Sequence, residues 1–307
     1  MSTESNQPNV TAGQPDLFES KSVVVAQNEA LGAIFGGDLD AASAALERLQ
    51  RDFPGDTMIQ PLSTMLGYAL DEASCATCPE AIAAYAERLR REVEPVTRRI
   101  LDAQAQTWLR QRYAQLAERA QGLSFDPQWP HADAGWLFSM AGQDKRALAR
   151  LQEIAEWYRS VDIAHALLET SMRRHGISGA WKFFCEFAWR RPDEARAWAE
   201  ADGRKTLVPF NLVVEFDAWA NEDLGFDWFP AWASTQFPVL AHDWRPGAKT
   251  RTNRVPVSFA ESAMYAMADL LKTRRDGESD MHARQAVHAI EPKLLQAVLA
   301  TKRQTPA

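Results

Sequence analysis

Cys75 and Cys78 are separated by two residues and are the first candidates for chemistry in this chain. A structural zinc site needs four ligands, usually from a second such pair or from two histidines at short spacing, and neither lies nearby. A redox role would place the pair between a strand and a helix, whereas here it falls at a predicted turn between two helices. We therefore interpret both cysteines as small side chains and expect no metal and no cofactor.

Acidic residues are concentrated between positions 215 and 243, where they could bind a hard cation or act as an acid–base pair. They are Glu215, Asp217, Glu222, Asp223, Asp227 and, beside His242, Asp243. On a helix Glu215 and Asp217 point away from each other, and no Asp-Gly calcium loop is present. A solvated acidic face explains these charges. The common nucleotide-binding, zinc-protease and serine-hydrolase motifs are also absent from the sequence.

A basic stretch follows Trp244 and contains no acidic residue up to position 254. Its cations are Arg245, Lys249, Arg251 and Arg254. Cations beside an aromatic ring can bind a phosphate backbone and stack on bases, so residues 244–254 are a candidate nucleic-acid surface. The chain as a whole carries a formal charge of -7, which argues against a nucleic-acid-binding protein. A solvated loop, or a contact with the acidic segment 215–227, is the preferred interpretation.

The start of the chain and its cysteine content limit the class of protein. Residues 1–20 are polar and are predicted to form a disordered leader, with order beginning near Val23. They lack the basic start and apolar stretch of a secretory signal, and no run of about 18 apolar residues follows. Three cysteines, an odd number, do not make a disulfide framework. We predict a cytoplasmic protein that does not bind a membrane.

The remaining sequence has the pattern of an all-α protein. Ala-rich segments of helical period alternate with short Gly, Pro and Asp breaks, and strand-like alternation is nearly absent. We predict helical hairpins over residues 21–202 and a Trp-rich helical region over 203–307 that packs on them. The chain contains 11 Trp, which indicates an aromatic core, a recognition surface or both.

The first predicted hairpin carries the clearest spacing. A break at Gly36 and Gly37 is followed by Asp38, which is placed to cap a helix. Ala42, a large apolar residue four positions later and a proline twelve positions later complete a pattern that resembles the second helix of a tetratricopeptide repeat. This resemblance implies a stack of helical hairpins, an α-solenoid, over residues 21–202.

Three further segments share the step from a small residue to a large one four positions later. The pairs are Ala81 with Tyr85, Ala147 with Leu151, and Ala180 with Phe184. Twelve residues before the alanines of the four segments, the family requires a small residue where the paired helices touch. Ala30, Ala69 and Gly135 fit this requirement, whereas Leu168 does not.

Two alternatives to a regular repeat stay open. Residues 96–121 contain neither Gly nor Pro and favour one long amphipathic helix, although the spacing of the segments leaves room for a hidden repeat there. The inward positions of the long helix would be Ile100, Leu101, Trp108, Leu109 and Leu116. The whole region could also be an irregular helical bundle, because small residues are common at helix contacts in any bundle.

Helix signals are also clear near the end of the chain. Ser258 and Glu261 form a predicted capping box, and Phe259, Met264, Met267, Leu270 and Leu271 supply the apolar positions of the helix that follows. A last helix is expected from about Asp280 to Lys302. Pro292 should kink or divide it, because proline removes a backbone donor.

The resemblance implies function as well as fold. In the tetratricopeptide family the first helix of each hairpin lines a groove that binds peptide segments. The matching positions in the later hairpins are Trp129, Trp136, Met140, His165, Glu169, Met172 and Arg173. We expect a non-catalytic adaptor, scaffold or chaperone-like accessory subunit that binds a protein segment there, and homo-oligomers are compatible with this role. The alternatives are an enzyme with a site in the Trp-rich segment 203–256 and a nucleic-acid-associated protein that uses 244–254.

Overall fold

The computed structural model describes residues 17–74, 76–101, 104–201, 203–207, 209–242, 256, 258–277 and 279–301. These residues are mainly helical and include no strand, so the predicted all-α class is confirmed for the described part of the chain. None of the helices described there is both long and apolar enough to cross a membrane.

The chain forms two compact units, an N-terminal unit up to Arg112 and a C-terminal unit from Tyr113 onwards. This division differs from the boundary predicted at 202/203. The predicted 202/203 boundary falls inside an aromatic core, because Phe184 on one side of it contacts Phe210 and Phe229 on the other. The fourth predicted hairpin and the Trp-rich region therefore belong to one unit.

The N-terminal unit consists of short helices joined by tight turns. Its helices are α1 (Leu17–Gly36), α2 (Leu39–Asp52), α3 (Ile59–Ala73), α4 (Pro79–Arg88), α5 (Glu94–Leu101) and the first half of α6 (Ala105–Ala120). A π-helical turn, Leu89–Val93, joins α4 to α5. α3 packs against this turn and α5 more extensively than against α4.

The first hairpin forms where the sequence predicts it. Gly37 adopts a φ of 74°, which favours glycine, and the carboxylate of Asp38 accepts a hydrogen bond from the backbone of Ala41 at 3.0 Å. Ala30 and Ala42 are both fully buried. α1 begins at Leu17, six residues before the predicted start of order, so residues 17–20 of the predicted leader are helical. Residues 1–16 lie outside the described residues.

The segment 96–121 includes residues from two described helices, and positions 102 and 103 lie outside the described residues. α5 ends at Leu101 and α6 begins at Ala105. The predicted inward side chains Leu101, Trp108, Leu109 and Leu116 are buried, whereas Ile100 is half-buried. The apolar period therefore identifies most of the buried positions of both helices.

The C-terminal unit contains the second half of α6 and ten further helices in the described residues. They are α7 (Ala134–Met140), α8 (Asp144–Leu151), α9 (Val161–Arg190), α10 (Pro192–Glu200), α11 (Val213–Ala220), α12 (Phe229–Gln236), α13 (Pro238–His242), α14 (Phe259–Arg275), α15 (Met281–Ile290) and α16 (Pro292–Thr301).

α9 is a hairpin rather than a rod. Gly176 has φ 66° and ψ -165°, which interrupts the helix and separates a first arm, 161–175, from a second arm, 177–190. The rings of His165 and Phe187 lie 5.0 Å apart, whereas 22 residues of straight helix would span about 33 Å. The second arm therefore folds back along the first, as predicted for the fourth hairpin.

Helices α14, α15 and α16 begin and end close to the predicted positions. The Ser258 hydroxyl caps α14 by accepting a hydrogen bond from the backbone of Glu261 at 3.1 Å. α15 ends at Ile290 and α16 begins with Pro292, so the proline divides the predicted last helix. Of the apolar positions predicted for α14, Met264 is fully buried, whereas Phe259 at the first turn is 79% exposed.

α7 contacts Leu151 of α8 closely at Gly135. A Cβ atom on this residue would lie 2.7 Å from Cγ of Leu151, which is fully buried, and 2.9 Å from Oδ1 of Asp133. Asp133 holds the start of α7 in place by accepting a hydrogen bond from the backbone of Gly135 at 2.7 Å. The predicted need for a small residue at position 135 is confirmed.

We expect Gly135→Ala to lower the free energy of unfolding by about 1–3 kcal/mol, because the added methyl overpacks the contact with Leu151. Urea denaturation followed by circular dichroism measures the change. The matched control is Gly67→Ala in α3, where a Cβ meets nothing within 4 Å. That control should be neutral or stabilising, since alanine favours a helix. Equal losses in the two variants would contradict the close contact.

Candidate partner-binding site

Four of the predicted groove residues lie on one face of the first arm of α9. They are His165, Glu169, Met172 and Arg173, at spacings of four, three and one residues. Met172 is half-buried, and the side chains of His165 and Arg173 are 42% and 39% exposed. We call these four residues, together with Trp198 and Arg204, which bind Glu169, the α9 face.

Glu169 is the centre of the α9 face. Its Oε1 accepts a hydrogen bond from the indole Nε1 of Trp198 at 2.7 Å and another from Nη2 of Arg204 at 2.6 Å. The Arg204 guanidinium also lies over the Trp198 ring, 4.2 Å from its centroid. These contacts join α9 to α10 and to the segment that follows it, and they hold the carboxylate in one orientation.

Arg173 is held at the other end of the α9 face. Its Nη2 donates to Oδ1 of Asp144 at 2.8 Å and to the carbonyl oxygen of Ser139 at 3.3 Å, and its Nε donates to Asp144 at 3.0 Å. Its Nη1 lies 3.8 Å from Oε2 of Glu169, beyond hydrogen-bonding distance. The guanidinium is therefore fixed by hydrogen bonds from two of its nitrogens, while Nη1 makes the longer ionic contact with Glu169 and 39% of the side chain stays exposed.

Histidine and carboxylate side chains extend this polar surface towards the start of α9. Nε2 of His131 lies 3.5 Å from Oδ1 of Asp162, and this contact lowers the pKa of the Asp162 carboxyl. Burial lowers the pKa of His165, although Glu169 opposes this shift. A lowered pKa favours the neutral imidazole of His165.

The three predicted groove residues outside α9 occupy different environments. Trp129 and Met140 are half-buried. Trp136 is only 7% exposed, and its ring contacts Tyr113 at 6.2 Å and His131 at 4.5 Å. Trp136 therefore stabilises the packing of α7 rather than presenting an open surface.

The other residues singled out in the sequence do not form a site in the described part of the chain. The basic residues Arg245, Lys249, Arg251 and Arg254 lie outside the described residues, as do Asp243 and Cys75. Asp217 pairs with Arg196, and Asp223 pairs with Lys293 at 2.9 Å. Within the described residues, no group of three His, Cys, Asp or Glu side chains could hold a metal ion.

Trp198 and Arg204, which complete the α9 face, could not be recognised from the sequence pattern. Trp198 is 29 residues from Glu169 and Arg204 is 35, so no local spacing connects them. Pro192 at the first turn of α10 was a usable signal, because it predicts a further helix that could pack beside α9.

The charged side chains of the α9 face are held by other side chains of the protein. The described carboxylate and guanidinium groups bind each other, and Nε2 of His165 lies 3.8 Å from Glu169, its nearest ionic partner. No protein-family model, curated protein or solved structure matches the chain.

Proposed function

We propose that the chain is a non-catalytic adaptor or accessory subunit that binds a segment of another protein along the α9 face. The observation that supports this proposal is the fixed yet accessible Arg173, bound by Asp144 and Ser139 while 39% of its side chain stays exposed. A side chain that is already ordered loses little conformational entropy when a partner binds.

The composition of the α9 face matches a peptide segment better than a small molecule. Arg173 offers its Nη1 donors to a backbone carbonyl or a carboxylate, and Met172 beside it can adapt to an apolar side chain. Arginine is enriched among the residues that contribute most to protein interfaces. The aromatic residues that an enzyme in the Trp-rich segment would use, such as Trp228 and Trp232, are 9% and 5% exposed and serve the core.

Site-specific cross-linking tests this proposal. With a photoreactive benzoylphenylalanine at position 172, we expect one discrete protein to be cross-linked in native lysate and then identified by mass spectrometry. The same probe at Val214, which is 77% exposed on α11, should capture nothing comparable. Arg173→Ala should weaken binding of the purified partner by about 1–3 kcal/mol, the range for an interface anchor.

Arg196→Ala is the matched control for Arg173→Ala. The Arg196 side chain is also 39% exposed and also forms two ion pairs, but with Glu200 and Asp217. The Arg196→Ala substitution should leave partner binding unchanged. If position 172 captures no protein, or if both arginine variants weaken binding equally, the α9 face is not the binding surface.

A further inference from the structure

Three consecutive valines near the start of α1 give the N-terminal unit an exposed apolar ridge. They occupy positions 23–25, and successive helical residues point about 100° apart, so the three cannot all face α2. Val23 is half-buried, while Val24 and Val25 are 51% and 56% exposed. The hairpin itself therefore leaves these two β-branched side chains largely uncovered.

A groove lies beside this ridge. It has a volume of about 500 Å³ and runs between the first half of α1 and the end of α2, where Val25, Ala26 and Phe53 supply its apolar lining. Val25 belongs to both the ridge and the groove edge. A protruding apolar surface and an apolar recess thus lie next to each other on one face of the α1–α2 hairpin.

Opposite charges border the same groove. Glu29 on α1 and Arg48 on α2 line it and form an ion pair at 3.0 Å, yet their side chains are 49% and 55% exposed. An exposed pair of this kind contributes little to stability within one chain. Both charges remain accessible to groups outside the hairpin.

We propose that this face binds a second copy of the chain in a two-fold symmetric dimer. In such an interface residue i contacts j and j contacts i, so one patch must carry both a feature and its complement. The α1–α2 hairpin carries a valine ridge with a groove and an anion with a cation. In the dimer, Val24 and Val25 of each copy fill the groove of the other, and each Glu29 pairs with Arg48 of the partner copy.

Sedimentation equilibrium on the full chain tests the apolar part of the proposal. The unsubstituted chain is expected to form dimers, and Val24→Asp with Val25→Asp should raise the dimer dissociation constant by about ten-fold or more, since charges replace buried apolar surface. Val214→Asp, a change at a 77% exposed valine of α11, should leave it unaltered. A chain that stays monomeric throughout, or a double variant that dimerises normally, overturns the proposal.

A charge-exchange experiment tests the two-fold symmetry and does not depend on the valine variant. Glu29→Arg alone places two guanidinium groups against each other at both contacts of its homodimer, and Arg48→Glu alone places two carboxylates together in the same way. Each should dimerise more weakly than the unsubstituted chain. When the two variants are mixed, one contact of the heterodimer joins the two substituted side chains and the other joins the two original ones. Both contacts then carry opposite charges, so heterodimers should form with nearly the original affinity. Failure of the mixture to recover dimers rules out this pairing.

Discussion

We expect Arg112→Met to lower the free energy of unfolding by about 3–5 kcal/mol, because it leaves a carboxylate buried without its cation. Nη1 of Arg112 lies 3.3 Å from Oε2 of Glu72, and the two side chains are 6% and 2% exposed. The guanidinium also lies over the fully buried Trp108 ring, 5.4 Å from its centroid. Urea denaturation of the full chain, followed by circular dichroism, measures the loss.

Arg88→Met is a closely matched control for this prediction. Arg88 pairs with Asp71, the residue before Glu72, and lies 5.9 Å from the centroid of the Tyr68 ring, but its pair is exposed to solvent. We expect this variant to cost about 1 kcal/mol or less, as is usual for surface pairs. Adding Glu72→Gln to Arg112→Met should recover part of the stability, because the buried carboxylate that lost the Arg112 cation is removed. Equal losses at positions 88 and 112 would show that burial does not determine the cost.

Features determined by a few neighbouring residues could be predicted from the sequence. Asp38 and Ser258 cap helices because their side chains reach backbone N–H groups three residues ahead. Pro292 divides a helix because it has no N–H to donate. Position 135 requires a small residue because α7 lies close to Leu151 of α8 there. Each signal depends on geometry within one turn or one hairpin, which sequence spacing records directly.

The candidate site was only partly predictable for the same reason. Helical spacing placed His165, Glu169 and Arg173 on one face of a helix. It could not reveal that Arg204, 35 residues beyond Glu169, would bind the same carboxylate, because that contact depends on the path of the intervening chain. Nor could spacing show that Tyr113 covers Trp136, since a periodic apolar face looks the same whether it is buried or exposed.

The difference at the 202/203 boundary has a related cause. Trp residues concentrated beyond position 203 suggested an aromatic region that packs on the preceding hairpins. The aromatic core also includes side chains from the second arm of α9, where Trp181 and Phe184 stack at 5.2 Å. Phe184 then contacts Phe210, Phe226 and Phe229 from the later helices and turns. A change in composition along the chain therefore did not mark a division in space.

Phe184→Ala should be the most damaging single truncation in this core, with an expected loss of about 3–5 kcal/mol in the free energy of unfolding. Phe184 is fully buried, and among the described residues it contacts aromatic rings on both sides of the 202/203 position. Removing the ring loses the free energy gained by burying it away from water. It also leaves a cavity that the large aromatic neighbours cannot fill without shifting. The loss is measured by urea denaturation of the full chain.

The effect of Phe184→Ala should also reach the α9 face through Trp198. The rings of Phe184 and Trp198 are 5.8 Å apart, and the Trp198 indole donates its hydrogen bond to Glu169. We expect the indole N–H signal of Trp198 to shift in the NMR spectrum of the folded variant, because its ring loses support on one side. Phe259→Ala makes the same substitution at a 79% exposed position, so it should change stability by less than about 0.5 kcal/mol and leave that signal in place. A Phe184 variant with an unmoved Trp198 signal would show that Arg204 and Glu169 hold the indole without help from the core.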